Sequence, residues 1–557
     1  MKKPKLSDLT LRQKIAQTMT IMQDLLFDRF DTMEEIYEHL KEYQYGAMWT
    51  RRAIVEQVMV RFSDKDEKGM VDYYRDLNRN FNSVLDIPLL IGCDSECGGN
   101  FAFAELSSLP FAAGITATGE PRYAYEAGKC TADEMATTGV NWIWDPVCDL
   151  SYYHSPIHNR PFSDEPEMAS KMVVEKLKGI QENGRVAATM KHFPGSGNDY
   201  RDPHCAQSVD HSSYERWLSR EGAVFQAAID AGVMSCMVGH TAWPALDDTK
   251  VRTGYIPATL SHKIITETLK GKMGFKGVVV TDGIAMRSLR LAYDTPTLYK
   301  KLILAGNDII LAPFDFDYLD IIEEAVLSGE IPMERIDDAC TRILNMKEKL
   351  GMFEDGYIDS TPSLTPELLE KTSKLSREIA EKSITLVCDK QNLIPISREK
   401  IKNVAMVYLG YEDYDFERLS LFKEAFEKRG ANVKIQRFLD EKEQHDELWS
   451  GEALANENDL ILYVPQLPWS SSPFFSGEQW RTTVFTLTYG AEKSAVISLG
   501  SPYTYFDYFM AADTYIDMYN LTDENPEMVV AGLYGEIEFV GKPPYKLAPE
   551  GRESELV

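Results

Sequence analysis

The chain has 557 residues, 44% of them hydrophobic and 26% charged, with a formal net charge of 59 − 87 = −28. That length exceeds what one hydrophobic core supports, so two domains are expected, and the composition is that of a globular enzyme rather than a disordered or fibrous chain. The acidity argues against nucleic acid or an anionic membrane as partner, and no run approaches the roughly 20 apolar residues of a membrane helix.

The first segment, MKKPKLSDLTLRQKIAQTMT (1–20), reads as an amphipathic helix with Ser7 or Asp8 near its cap. It has neither the long apolar region nor the small-residue cleavage site of a signal peptide, so a cytoplasmic location is expected. The eight cysteines (Cys93, Cys97, Cys130, Cys148, Cys205, Cys236, Cys340, Cys388) lie far apart, as reduced core thiols do. Cys93 and Cys97 have no second pair to complete a zinc site.

From about residue 40 to 315, short apolar runs recur, each followed by a loop and helix-like sequence. They are YGAMWT (45–50), PLLIGCD (88–94), NWIWDPV (141–147), VAATMKHF (186–193), VMSCMVGH (233–240), GVVVTD (277–282) and NDIILAP (307–313). Runs apolar on both faces mark buried parallel strands, and the intervals are long enough for crossover helices. Seven such runs predict a (β/α)8-like (TIM) barrel with one strand missed or degenerate, although a doubly wound sheet shares the local pattern. Asp94, Asp145, Lys191, His192, His240 and Asp282 all fall at the C-terminal ends of the runs, the end where barrels build active sites. Asp145, before Pro146, reads as a turn residue.

MERIDDACTRILNMKEKLGMF (333–353) reads as the closing helix, and EDGYIDSTPSLTPE (354–367) as a connection. After a helix over 366–382, a second series follows: SITLVCD, NVAMVYLG, ANVKIQRF, DLILYVPQ and SAVISLG, alternating with helical segments. The expected organisation is a catalytic barrel over 1–355, a linker and connecting helix over 356–383, and a smaller α/β layered domain over 384–557. No fixed-period repeat or low-complexity segment occurs.

Two segments carry the chemistry. In GVVVTDGIAM (277–286), Asp282 ends an apolar strand, where a rigidly held carboxylate can attack an anomeric carbon. Asp-Gly is also a hairpin signal, but IAMRSLRLAY (284–293) reads as helix. In MKHFPGSGNDYRDPHCAQSVD (190–210), Lys191 and His192 end a strand and can donate to sugar hydroxyls. The loop then reaches Asp202-Pro203-His204, where the carboxylate can orient the imidazole and raise its pKa, suiting it to pass a proton near neutral pH. The alternative is an Asx turn beside an exposed histidine. A metal held by His192, His204, Cys205 and His211 matches no standard zinc spacing, and no phosphate-cradling glycine loop occurs, so neither metal nor cofactor is expected.

These two segments resemble the signatures of glycoside hydrolase family 3, and more narrowly its β-N-acetylhexosaminidase branch. LRQKIAQTM (11–19), PLLIGCDSECGG (88–99), DPVCDL (145–150), NRPF (159–162), PALDD (244–248) and ATLSHKIITETLKGKMGFKGVVVTDGIAM (258–286) agree with it over about residues 8–350. KSITLVCDKQNLIPI (382–396) and ISLGSPYTY (497–505) resemble the family's accessory α/β domain. The resemblance implies Asp282 as nucleophile, His204 as acid/base, Asp202 as its partner, and Asp94, Arg160, Lys191 and His192 as sugar-binding residues. The implied partner is a small-molecule or oligosaccharide substrate. Four features depart from the pattern: Cys97 in place of a turn glycine, no arginine over 100–105, Ser196 for a frequent histidine, and Pro203 inside the dyad.

The first expectation is therefore a retaining hydrolase releasing terminal β-linked sugars, foremost N-acetylglucosamine. A β-glucosidase using a glutamate of the second domain, with Glu478 as candidate, a glycoside phosphorylase using the same intermediate, and a silent sugar-binding protein are the alternatives.

Overall fold

The computed structural model of the protein describes residues 2–51, 69–153, 155–252, 254–410, 412–437, 450–466 and 490–556. Its chain divides into two compact units, one of residues 1–107, 124–150 and 166–372, the other of 108–123, 151–165 and 373–557.

The first unit is built on eight parallel strands: β1 (Met19–Met22), β2 (Ala47–Trp49), β3 (Leu90–Cys93), β4 (Trp142–Ile143), β5 (Ala187–Phe193), β6 (Ser235–Val238), β7 (Val278–Thr281) and β8 (Ile310–Leu311). They pair in sequence order, β1 against β2 through β6 against β7. β8 pairs with β1 (Met19↔Ile310), and a bridge between Val280 and Ile309 closes the barrel. Helices such as Pro166–Gln181, Glu221–Asp230 and Thr295–Ala305 make the crossovers. Ala47, Leu90, Trp142, Ala187, Val278, Val280 and Leu311 fill the interior. The indole of Trp142 donates to Ser235 Oγ at 2.8 Å. Gly92 is required where it stands, because a Cβ there would lie 2.5 Å from Cζ2 of Trp144.

The strand lacking from the seven apolar runs is β1, which falls at the end of the segment read as one helix. The helix there is only Leu11–Gln17, preceded by a turn at Leu6–Asp8. Its cap is Thr10, not Ser7 or Asp8: Thr10 accepts from Gln13 N while the Gln13 side chain accepts from Thr10 N.

The second unit holds a six-stranded sheet of β9 (Thr385–Asp389), β10 (Asn403–Leu409), β11 (Asn432–Arg437), β12 (Leu460–Pro465), β13 (Ser494–Ser498) and β14 (Thr514–Asp517). The spatial order is β9-β14-β13-β12-β10-β11, parallel except for β9. Apolar layers cover both faces, one around Met406, Phe422 and Val529, the other around Val407, Tyr463 and Phe509. Two segments from early in the chain belong to this unit for a packing reason: Ala113 and Ala117 are buried with Tyr503, Tyr519 and Tyr545. Among the described residues, no helix is long and apolar enough to cross a membrane.

Candidate active site

Side chains two residues apart on a strand share a face. Leu90, Ala187 and Val280 face the barrel interior, so Asp94, Lys191 and Asp282 continue those inward rows past the C-terminal strand ends. Lys191 is buried, and its Nζ lies 2.8 Å from Asp94 Oδ1 and 2.6 Å from Glu96 Oε1. A buried ammonium is tolerated only when it is matched in this way. Asp94 keeps a third of its side chain exposed at the rim. Asp145 is not the turn residue its sequence suggests: it is buried and paired at 2.8 Å with Lys176, which also donates to the backbone oxygen of Glu96. One layer of matched charges thus supports another.

His192 is held by Asp149, whose carboxylate accepts from the imidazole Nδ1 at 2.6 Å, from His192 N at 3.2 Å and, through its other oxygen, from Ser196 N at 2.7 Å. Because an ionised carboxylate only accepts, it places the ring proton on Nδ1. The Lys191–His192 and Phe193–Pro194 peptide bonds are cis. His240, after β6, bonds Gly283 O through Nε2 at 3.0 Å and Thr259 Oγ1 through Nδ1 at 2.9 Å. A carbonyl cannot donate, so the Nε2 proton goes to Gly283 and Nδ1 accepts from the hydroxyl. Burial pushes this imidazole down, against a smaller opposing pull from Asp282.

Asp282 closes the cluster. Its backbone N–H bonds Val238 O at 2.9 Å, extending the barrel ladder, and Gly283 N donates to its Oδ1 at 2.7 Å. Burial alone would push the carboxyl up. The imidazoles of His192 and His240, the Gly283 N–H and the imidazole of His204 together outweigh it and hold the group below the usual carboxylate range. Three histidines therefore act on one carboxylate. The segment after Gly283 is less helical than expected, with a single turn over Arg287–Arg290.

The loop after β5 is tied at its base and open at its tip. Trp217 Nε1 donates to Pro194 O at 2.7 Å, Trp243 Nε1 to Ser212 O at 3.1 Å, and Asn198 Nδ2 to Asp210 Oδ1 at 2.8 Å. At the tip, Asp202 Oδ1 accepts from His204 N at 2.8 Å and from the imidazole Nδ1 at 2.7 Å. The Asx turn and the carboxylate–imidazole pair are thus not alternatives, since one oxygen makes both. His204 is half exposed, while little of the Asp202 side chain is. Arg160 lies in the 151–165 segment, which belongs to the second unit, and Glu478 lies outside the described residues.

Sequence reasoning passed over Glu96 and Asp149 as functional residues, although both stand in quoted motifs. Their signal is long-range: each meets a group on β5 that no local pattern links to it. Among the described residues, no three His, Cys, Asp or Glu side chains are grouped to hold a metal ion.

The model of the glycosyl hydrolase family 3 N-terminal domain matches residues 10–346. A β-N-acetylglucosaminidase/β-glucosidase of Cellulomonas fimi is 29% identical over 495 residues, covering 83% of this chain and 84% of its own. Among solved structures, the β-glucoside phosphorylase BglX superposes with a TM-score of 0.81 at 25% identity, over 99% of this chain and 96% of its own. A family 3 β-N-acetylglucosaminidase of Paenibacillus sp. does so with a TM-score of 0.81 at 25% identity, over 97% and 99%. The chain belongs to glycosyl hydrolase family 3 and is a glycosidase acting on β-linked sugars.

Proposed function

We propose that the protein is a retaining glycosidase that removes terminal β-linked N-acetylglucosamine through a glycosyl-enzyme on Asp282. The observation carrying this reading is the carboxylate at the end of β7, held ionised by three imidazoles and one backbone N–H. An ionised carboxylate is the form that attacks an anomeric carbon. His204 is the acid/base: Asp202 accepts a hydrogen bond from its Nδ1–H, so exchange with the glycosidic oxygen and then with water runs through Nε2. Asp94 accepts from sugar hydroxyls, and Lys191 and His192 line the glycone pocket. The choice of N-acetylglucosamine is supported by the names of the Cellulomonas fimi and Paenibacillus relatives.

A second reading, phosphorolysis, is favoured by the likeness to the β-glucoside phosphorylase. A histidine carries no negative charge to repel phosphate. The discriminating experiment incubates the enzyme with slow 2-fluoro sugars and maps the labelled peptide, then assays nitrophenyl β-glycosides of N-acetylglucosamine, glucose and xylose with and without phosphate. A label on Asp282 and phosphate-independent release of N-acetylglucosamine are expected. A label on a peptide lacking Asp282 overturns the nucleophile, and strict phosphate dependence replaces hydrolysis by phosphorolysis.

A further inference from the structure

The loop that carries the acid/base holds two carboxylates inward and sends two rings outward. Asp199 accepts from Arg201 N at 3.1 Å, from Arg201 Nε at 3.0 Å and from Val209 N at 2.6 Å, and almost none of its side chain is exposed. Asp202 is also largely covered while it accepts from His204. Beside these anchors Tyr200 stands 74% exposed and His204 half exposed. Single exposed apolar side chains are common and need no explanation by themselves. The place of this one is what matters.

His204 lies against the segment that follows the nucleophile: Arg287 N donates to its backbone oxygen at 3.5 Å, and its imidazole acts electrostatically on Asp282 and His240. In a retaining glycosidase the nucleophile and the acid/base flank the scissile bond, and the acid protonates the leaving oxygen. The leaving group is therefore on the side of the 199–204 tip. Four residues of fully extended chain span at most about 14 Å, and the turn that brings Cys205 N to Asp202 O at 3.0 Å shortens the path from Tyr200 to His204. The surroundings of the ring are polar, since every other side chain from Asn198 to His204 is polar except Pro203. An alkyl or lipid leaving group calls for a contiguous apolar patch, which one ring among polar groups is not. A sugar, with apolar C–H faces and hydroxyls around its edge, matches that mixture.

We propose that Tyr200 is a specificity-determining residue: its ring is the platform on which the leaving sugar stacks, so that the enzyme prefers a saccharide leaving group to a small alcohol. The inference rests on His204 as the acid/base. Tyrosine suits the task, because its apolar face covers the C–H face of a pyranose while its hydroxyl stays in water or bonds a sugar hydroxyl. The bonds of Asp199 to both Arg201 and Val209 hold the backbone around the ring, so stacking orders little that is not already fixed.

The test compares kcat/KM for a disaccharide with that for the methyl glycoside of the same sugar, in the full chain, Tyr200→Ala and Tyr200→Trp. The pairs are diacetylchitobiose with methyl N-acetyl-β-glucosaminide and cellobiose with methyl β-glucoside, and the pair that wild type turns over is read. Substrate consumption is followed by chromatography with phosphate present, so that hydrolysis and phosphorolysis both register. Tyr200→Ala should lower the disaccharide-to-methyl ratio about tenfold, and Tyr200→Trp should restore it, because stacking needs the ring and not the hydroxyl. Three results overturn the proposal: a ratio within about twofold of wild type in Tyr200→Ala, an equal loss on both substrates, as a disordered loop would give, or a Tyr200→Trp ratio as low as that of Tyr200→Ala. His204→Ala on the same pair separates the two readings. Near-normal disaccharide turnover there, with the ratio still lowered in Tyr200→Ala, fails the acid/base assignment and keeps the platform; with the ratio intact, both fail.

Discussion

Buried lysines at the two ends of the barrel are treated in different ways. At the C-terminal end both buried lysines are matched: Lys191 by Asp94 and Glu96, and Lys176 by Asp145. At the N-terminal end Lys347, on the last barrel helix (Met333–Lys349), is wholly buried and, among the described residues, donates only to the amide oxygen of Gln17 at 2.7 Å. Burial pulls its pKa down to about 7. Matched pairs keep their charges and hold a fixed electrostatic geometry around Asp282, which suits a transition state that develops charge. The unmatched lysine has no such use and costs stability. Substitutions at the two ends should therefore separate function from stability.

The largest effect is expected from Asp282→Asn, which keeps the shape and removes the charge on which the imidazoles converge. kcat should fall by at least about a thousandfold with the melting temperature little changed, because the missing group acts on the reacting carbon itself. Equal losses of activity and stability would mean that the carboxylate only holds the histidines together. The loop-borne dyad comes next. His204→Ala should slow hydrolysis of a natural disaccharide by about 10² to 10⁴-fold, the usual worth of a general acid, but slow departure of a nitrophenolate much less. Asp202→Ala should show the same leaving-group pattern more weakly. Near-normal turnover of the disaccharide by His204→Ala would remove the acid/base role from His204. Lys191→Met, third in size, leaves Asp94 and Glu96 without their shared cation. A destabilisation of about 3–5 kcal/mol is expected in urea unfolding, as for other broken buried pairs, with a rise in KM.

Seven of the eight barrel strands were legible because a parallel strand buried on both faces is a short apolar run. β1 was hidden because MTIM follows the helix Leu11–Gln17 after a single threonine, and an amphipathic period runs into it without punctuation. β14 escaped for a different reason: TYID has only two apolar residues, flanked by Thr514 and Asp517, yet all four are buried. At the site, groups at strand ends were readable from position alone. Glu96 and Asp149 were not, since their partners lie 95 and 43 residues away along the chain. Asp145 was misread for the same reason. The Asp-Pro pair is a local turn signal, whereas the ion pair with Lys176 is tertiary. Arg160 shows the limit of contiguous domain boundaries, since its segment belongs to the second unit although its sequence neighbours on both sides build the barrel.

The smallest effect, and the one that tests the N-terminal end, is expected from Lys347→Met. An unfolded lysine titrates near 10.5, whereas this one does so at about 7 in the folded chain. Between those values the unfolded chain binds more protons, so the lysine's penalty shrinks as pH rises and is present in full below about 7. Methionine keeps the length and apolar bulk of the stem and removes the titrating group. It also deprives Gln17 Oε1 of its donor, an offset of about 1–3 kcal/mol. The variant should therefore be more stable than wild type by about 1–2 kcal/mol near pH 6, and no more stable near pH 10. Urea unfolding of both proteins across that range measures the difference. A gain that does not change with pH would mean that Lys347 stays neutral throughout, and a loss at every pH would mean that its bond to Gln17 outweighs the cost of burying the charge. With the expected slope, the charge of Lys347 is dispensable in a way that those around Asp282 are not.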